Sequence, residues 1–264
     1  MPFSKEELDE LRRAKLLLEN PGLAAKLASY VGSPVEKGMK MLPKRWQAGV
    51  HSATEKALMK ALDMAVKSLG GRKAEAPGRS ASNKFHRVAV ATSGAVGGAF
   101  GIAALSIELP ISTTIILRSI ADIAASEGED PRAIDTKLAC LMVFALGSPK
   151  DSRDNAAESG YFAARSALAT AVTEASKHLA QKGLAKGGSP ALVRLVSLIA
   201  SRFGIVVSEK TAAQLVPVIG AAVGAIINTL FIAHYQDMAR GHFIVRRLEN
   251  LHGAEPVRLE YEKI

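Results

Sequence analysis

Six histidines and one cysteine set narrow limits on the chemistry that this chain of 264 residues can carry. The most suggestive spacing is His234-x-x-Asp237, with His242 eight residues beyond His234, on what reads as the last long helix. Side chains at i and i+3 share one helical face, so this pair could open a metal site if further donors came from elsewhere. Glu108, Asp122, Glu127 and Asp130 are the carboxylates available for that role if the helices fold back. Glu108 stands out because it ends an apolar run beside Pro110, a setting that can shift a carboxyl pKa. The simpler expectation for these acids is capping and ion pairing, with Arg118 and Arg240 as partners.

Other chemistries leave no trace. The glycines of SGAVGGAFG (93–101) are followed by no Lys-Ser/Thr, lack the GxGxxG order and follow no strand, so they do not form a phosphate loop. There is no GxSxG elbow, no HExxH and no paired-cysteine motif. Cys140 lies within LACLMVFAL and reads as a small core hydrophobe rather than a nucleophile. The expectation is a protein with no catalytic residue, metal or cofactor.

The elements that would position these residues are helices. Ser4-x-x-Glu7 is a capping box, and Leu8, Leu11, Ala14, Leu17 and Leu18 then recur at helical spacing up to Asn20-Pro21-Gly22. A short helix should run to Val31 and stop at Gly32. Trp46, Val50, Ala53, Ala57, Ala61 and Ala65 trace one face of a longer helix closed by Gly70-Gly71. Pro110 should break or kink the next helix, which resumes over Ile111–Ala125. Pro131 opens a helix through Ala145; further helices are expected at Ala156–Gln181, Ala191–Phe203 and Gly220–Asn250, the last entered through Pro217. No convincing alternating strand pattern occurs. The fold class is all-α, a multi-helix bundle with residues 1–70 as an N-terminal helical segment, 71–84 as a basic linker and 85–264 as the main region, together one compact domain.

Two uncharged Gly/Ala-rich runs, Val88–Ile107 and Thr211–Ala233, raise the question of a membrane. As straight helices they would measure about 30 and 35 Å, matching a hydrocarbon core. The seven strongly apolar residues of the first supply only roughly −3 kcal/mol toward insertion, and the second carries Gln214, Pro217 and Asn228. Basic residues flank both runs on both sides. Tightly packed central helices are therefore expected in preference to stable spans. Gly94/Gly98, Gly97/Gly101 and Gly220/Gly224 are GxxxG pairs, the last continued by Asn228, and they point to close packing between the two helices or between subunits.

Net charge is +9, with 48% apolar and only 5% aromatic residues, and mean hydropathy is +0.13. No zinc-finger or RNA-binding signature accompanies the charge, so nucleic acid is not the expected partner. Between Lys67 and Arg87 six basic residues face one acid, Glu75. Arg72, Lys73, Arg79, Lys84 and Arg87 make this either a solvated loop or a contact for anionic headgroups. The charged N-terminus, without an apolar signal region, and the single cysteine agree with a cytoplasmic location.

Three segments carry a resemblance: Asn20-Pro21-Gly22 through Gly32-Ser33-Pro34-Val35 with Leu42-Pro43; the block Gly94–Pro131 leading into LACLMVFALG; and Pro217–Glu249, where the glycines, Asn228, His234, Arg240, Phe243 and Leu248 fall in pattern. In these segments the chain resembles the bacterial EcsC-like proteins, least so over 148–190. The resemblance implies a predominantly helical protein of a family named for a gene beside an ABC-type exporter. It implies no defined reaction. The leading expectation is thus a non-enzymatic accessory protein that binds an anionic membrane or membrane complex from the cytoplasmic side. Alternatives are a soluble helical module holding a lipid or other apolar ligand between the Gly-rich helices, and a hydrolase or metal enzyme around Glu108, Asp122 and His234.

Overall fold

Local sequence signals become helices in the order in which they occur. In the computed structural model, residues 3–19, 22–31, 44–68, 101–148, 160–183, 189–214 and 221–264 are described. They form α1 (Lys5–Glu19), α2 (Leu23–Val31), α3 (Lys44–Ser68), α4 (Gly101–Ser126), α5 (Ile134–Met142) with a 3-10 turn at Val143–Ala145, α6 (Gly160–Lys182), α7 (Pro190–Gln214), α8 (Ala221–His252) and α9 (Ala254–Lys263). No strand occurs among the described residues, and the protein is an all-α bundle.

The capping box at the start of α1 is made reciprocally. The Glu7 carboxylate accepts the Ser4 N–H at 2.7 Å, and the Ser4 hydroxyl accepts the Glu7 N–H at 3.2 Å. The Ser4 N–H, followed by His252, holds the Glu7 carboxyl down at about 2. Leu11, Ala14 and Leu18 then form the buried stripe of α1.

Two helices outrun their expected limits. Pro110 neither ends nor splits α4, which runs through it. The lost backbone hydrogen bond is outweighed by core positions on both sides, Leu109 before it and Ile116, Leu117 and Ile120 after it. α7 continues past Phe203 to Gln214, because Val206, Val207, Ala212 and Ala213 keep the buried face going and override the low propensity of Gly204.

The run Thr211–Ala233 is not one straight segment. Its described residues belong to α7 and α8, which lie side by side. The Phe203 ring lies 6.1 Å from Phe231 and 5.5 Å from Tyr235, whereas 28 residues of straight helix would separate the first pair by about 42 Å. Of the run Val88–Ile107, residues 88–100 lie outside the described residues and 101–107 open α4. The two described segments with the length and composition to cross a membrane are instead Glu108–Ser126 of α4 and Pro190–Ala213 of α7, which are 61% and 50% buried within the protein.

α8 is the centre of the bundle. α4 runs parallel to it, with Ser119 opposite Gln236 and Glu129 opposite Arg246, each pair 117 residues apart. α1 runs antiparallel to it: Glu7 meets His252, Glu10 meets Arg247, and Ala14 and Leu18 meet Gly241. At Gly241 the approach is so close that a Cβ would lie 2.6 Å from Leu18 Cγ and 3.0 Å from the Ala14 carbonyl oxygen. α3 packs on α4 and α7, while α2 packs on α7 and α8. One apolar core joins Leu11 and Leu18 of α1 to Leu58 and Leu62 of α3 and to Phe231, Phe243 and Leu248 of α8.

The contrast between two helical glycines is testable. Gly241→Ala should push α1 outward and destabilise the protein by about 1–3 kcal/mol. Gly204→Ala meets nothing within 4 Å and should stabilise by about 0.5–1 kcal/mol. Urea unfolding of both variants measures the two shifts.

Candidate functional site

The residues nominated by sequence are carried mainly by α4 and α8, and the structure sends them to different places. His234 points inward. It is 1% exposed, and neither ring nitrogen has a hydrogen-bond partner. The ring is pressed against Gly147, whose φ of +73° suits glycine; a Cβ there would sit 2.6 Å from His234 Nε2 and 2.8 Å from Met238 Sδ. Burial first, and the Lys26 charge second, lower the imidazole pKa to about 3, so His234 is neutral at physiological pH.

Asp237, three residues on, points to the rim. Its carboxylate pairs with Arg240 at 3.2 Å and with Lys26 of α2 at 3.5 Å. The i, i+3 pair therefore does not converge on one point. No group of three or more His, Cys, Asp and Glu side chains suited to a metal ion occurs among the described residues. His242 faces α6, where its Nδ1 lies 2.9 Å from the Tyr161 hydroxyl. Burial, then Arg165 and Arg246, depress its pKa well below the ordinary value. Cys140 is buried, and desolvation pushes its thiol far up, so the thiolate needed for nucleophilic chemistry does not form.

The acids divide in the same way. Glu127 pairs with Arg247 at 3.0 Å, and Asp130 with Arg132 at 3.1 Å. Asp122 is half-buried near the C-terminal end of α4 and is not without a partner. Glu108 pairs with neither Arg118 nor Arg240. Its carboxylate accepts from the Lys210 ammonium of α7 at 2.6 Å, with the two residues 7% and 1% exposed. The ammonium also lies 4.8 Å from the Phe231 ring centroid. Lys210 was legible only as a charge flanking an apolar run; the dipeptide Glu209-Lys210 inside the stretch 205–213 was the available signal.

This pair clamps to each other the two described helices that are long and apolar enough to cross a membrane. Farther along α4 and α8, the Gln236 amide donates to the Ser119 hydroxyl at 2.8 Å, and Asn228 is fully buried. Gly224 is buried on α8 and Gly101 begins α4, while Gly94, Gly97, Gly98 and Gly220 lie outside the described residues. So do Arg72, Lys73, Arg79, Lys84 and Arg87.

Most of the ion pairs of α8 gather at its C-terminal end, where Leu251 is also 64% exposed, while two exposed isoleucines lie at the N-terminal end of the α4/α8 pair. At the C-terminal end, Arg246 binds Glu129, Arg247 bridges Glu10 and Glu127, Arg165 binds Glu249, and His252 meets Glu7. At the N-terminal end, Ile111 and Ile226 are 46% and 40% exposed, with Ile115 and Leu230 partly buried one turn on. The parallel register places these four at one level of the bundle.

A family model described as the EcsC protein family matches residues 5–248. Neither a curated protein nor a solved structure matches the chain.

The Glu108–Lys210 clamp makes a direct prediction. Lys210→Met strands a buried carboxylate and should cost about 3–5 kcal/mol in urea unfolding. Adding Glu108→Leu should restore most of that loss.

Proposed function

The chain belongs to the EcsC protein family, and on that premise we propose that it is a non-enzymatic accessory protein that docks on an anionic membrane, or on a complex within it, from the cytoplasmic side. The observation that carries this reading is the pair of exposed isoleucines, Ile111 and Ile226, at one level of α4 and α8 and away from the ion-pair cluster at the other end. Two apolar side chains exposed at one level of the bundle can enter a lipid interface together. The basic residues Arg72–Arg87, which precede α4 in sequence, supply the sign that anionic headgroups attract. Net charge +9 acts in the same direction at longer range.

Docking fits this arrangement better than spanning. α4 and α7 are buried for half or more of their apolar segments, and Glu108 and Lys210 neutralise each other between them. An accessory rather than a catalytic role is supported by the fate of the candidate acids and histidines. Glu108, Glu127, Asp130 and Asp237 are held in ion pairs, and His234 is sealed against Gly147.

Vesicle sedimentation tests the proposal. The protein should pellet with phosphatidylglycerol vesicles, be released by high salt, and ignore phosphatidylcholine vesicles. Ile111→Ser combined with Ile226→Ser should weaken binding by about tenfold or more. Equal indifference to both lipids, or unchanged binding by the double variant, overturns this docking mode.

A further inference from the structure

Glu209 is a buried acid that the ion pairs above leave out. It lies on α7 next to Lys210, is 8% exposed, and accepts the backbone N–H of Ala24 in the first turn of α2. α2 closes over this point with Leu23 and Leu27 fully buried. Beside it the Tyr235 hydroxyl of α8 is buried with no hydrogen-bond partner, and the Glu209 charge pushes that phenol's pKa up further than burial alone.

The charged and titratable groups facing this place can be named helix by helix. α2 offers Lys26, and α8 offers Asp237, which pairs with Lys26, together with neutral His234 and Tyr235. α7 offers Lys210, already bound to Glu108 of α4. α3 buries Val50, Ala57, Leu58, Ala61 and Leu62 and keeps His51–Glu55 and Asp63–Lys67 as pairs on its outer side. The 3-10 turn at Val143–Ala145 is apolar. On α6, Arg165 is bound to Glu249 and Tyr161, and Glu174 pairs with Arg194 near the far end of α7, about 22 Å along the helix from Glu209. Arg202 of α7, buried two turns before Glu209, has a partner of its own. Among the described residues no cation pairs with Glu209.

We propose that the docking of α2 onto α7 and α8 is coupled to a proton on Glu209, α2 being held closed by the neutral carboxyl and released as that carboxyl ionises. Release would bare Leu23, Leu27 and the Tyr235 hydroxyl. Desolvation raises the Glu209 pKa from 4.5 to about 7, opposed only by the Ala24 N–H. With α2 undocked, the carboxyl is in water and returns toward 4.5. The docked form thus holds the proton more tightly. Docking is strongest below 4.5, weakens as pH rises toward 7, and changes little above that, where both forms are ionised. The inference is independent of the membrane reading.

Amide hydrogen exchange of α2 on the full chain, corrected for intrinsic rates, reads the opening constant directly. Between about pH 5 and about pH 8 it should rise on the order of 100-fold. In Glu209→Gln it should stay flat, and in Asp237→Asn it should keep the native slope. A native-like slope in Glu209→Gln, or its loss in Asp237→Asn, overturns the proposal. A carbon-13 titration of the Glu209 carboxyl in the native chain needs no variant: a midpoint near 4.5 also overturns it.

Discussion

A helix of 32 residues is about 48 Å long, and α8 is buried along most of that length, so each polar side chain it carries must be matched from another helix or sealed off. That constraint organises the rest. Gln236 is matched by Ser119, His242 by Tyr161, Arg246 by Glu129, Arg247 by Glu10 and Glu127, and Glu249 by Arg165. The partners come from α4, α6, α1 and the turn after α4, so satisfying α8 fixes the position of each. His234 and Tyr235 are exceptions: the histidine is accommodated as a neutral ring against a glycine, and the Tyr235 hydroxyl is sealed in without a hydrogen-bond partner.

Burial and charge oppose each other differently along the molecule. At the C-terminal end of α8 the pairs are partly solvated and multiple, so each contributes modestly. At Glu108–Lys210 both groups are out of water, and the attraction has to offset a desolvation cost of several kcal/mol per ion. Glu209 represents a third outcome: a buried carboxyl without a cation among the described residues relieves its desolvation by keeping its proton to higher pH.

Much of the fold was legible from local pattern. The capping box of Ser4 and Glu7, the limit of α2 at Val31 and the long final helix all depend on residues within a turn or two of one another. Pro110 and the end of α7 misled because propensity is local, whereas the buried stripes that sustain those helices are tertiary. The run Thr211–Ala233 looked like one segment because hydropathy adds along sequence and does not register a reversal of direction. Sequence also picked out Glu108, His234 and Asp237, but not their surroundings. Lys210 is 102 residues from Glu108, and the need for glycine at 147 and 241 arises only when α8 arrives against them.

The antiparallel contact of α1 with α8 has a consequence for synthesis. Its members are separated by 237 residues at Glu10–Arg247 and 245 at Glu7–His252. α1 leaves the ribosome before the other described helices, with its Leu11, Ala14 and Leu18 stripe formed around a local cap, yet the surface of α8 that covers this stripe is translated after all the helices between them. The chain therefore carries an uncovered apolar helix while the helices between α1 and α8 are made, and closing so long a loop is the slow, entropically costly class of contact. The capping box that nucleates α1 early and the glycine at 241 that receives it late belong to opposite ends of that wait.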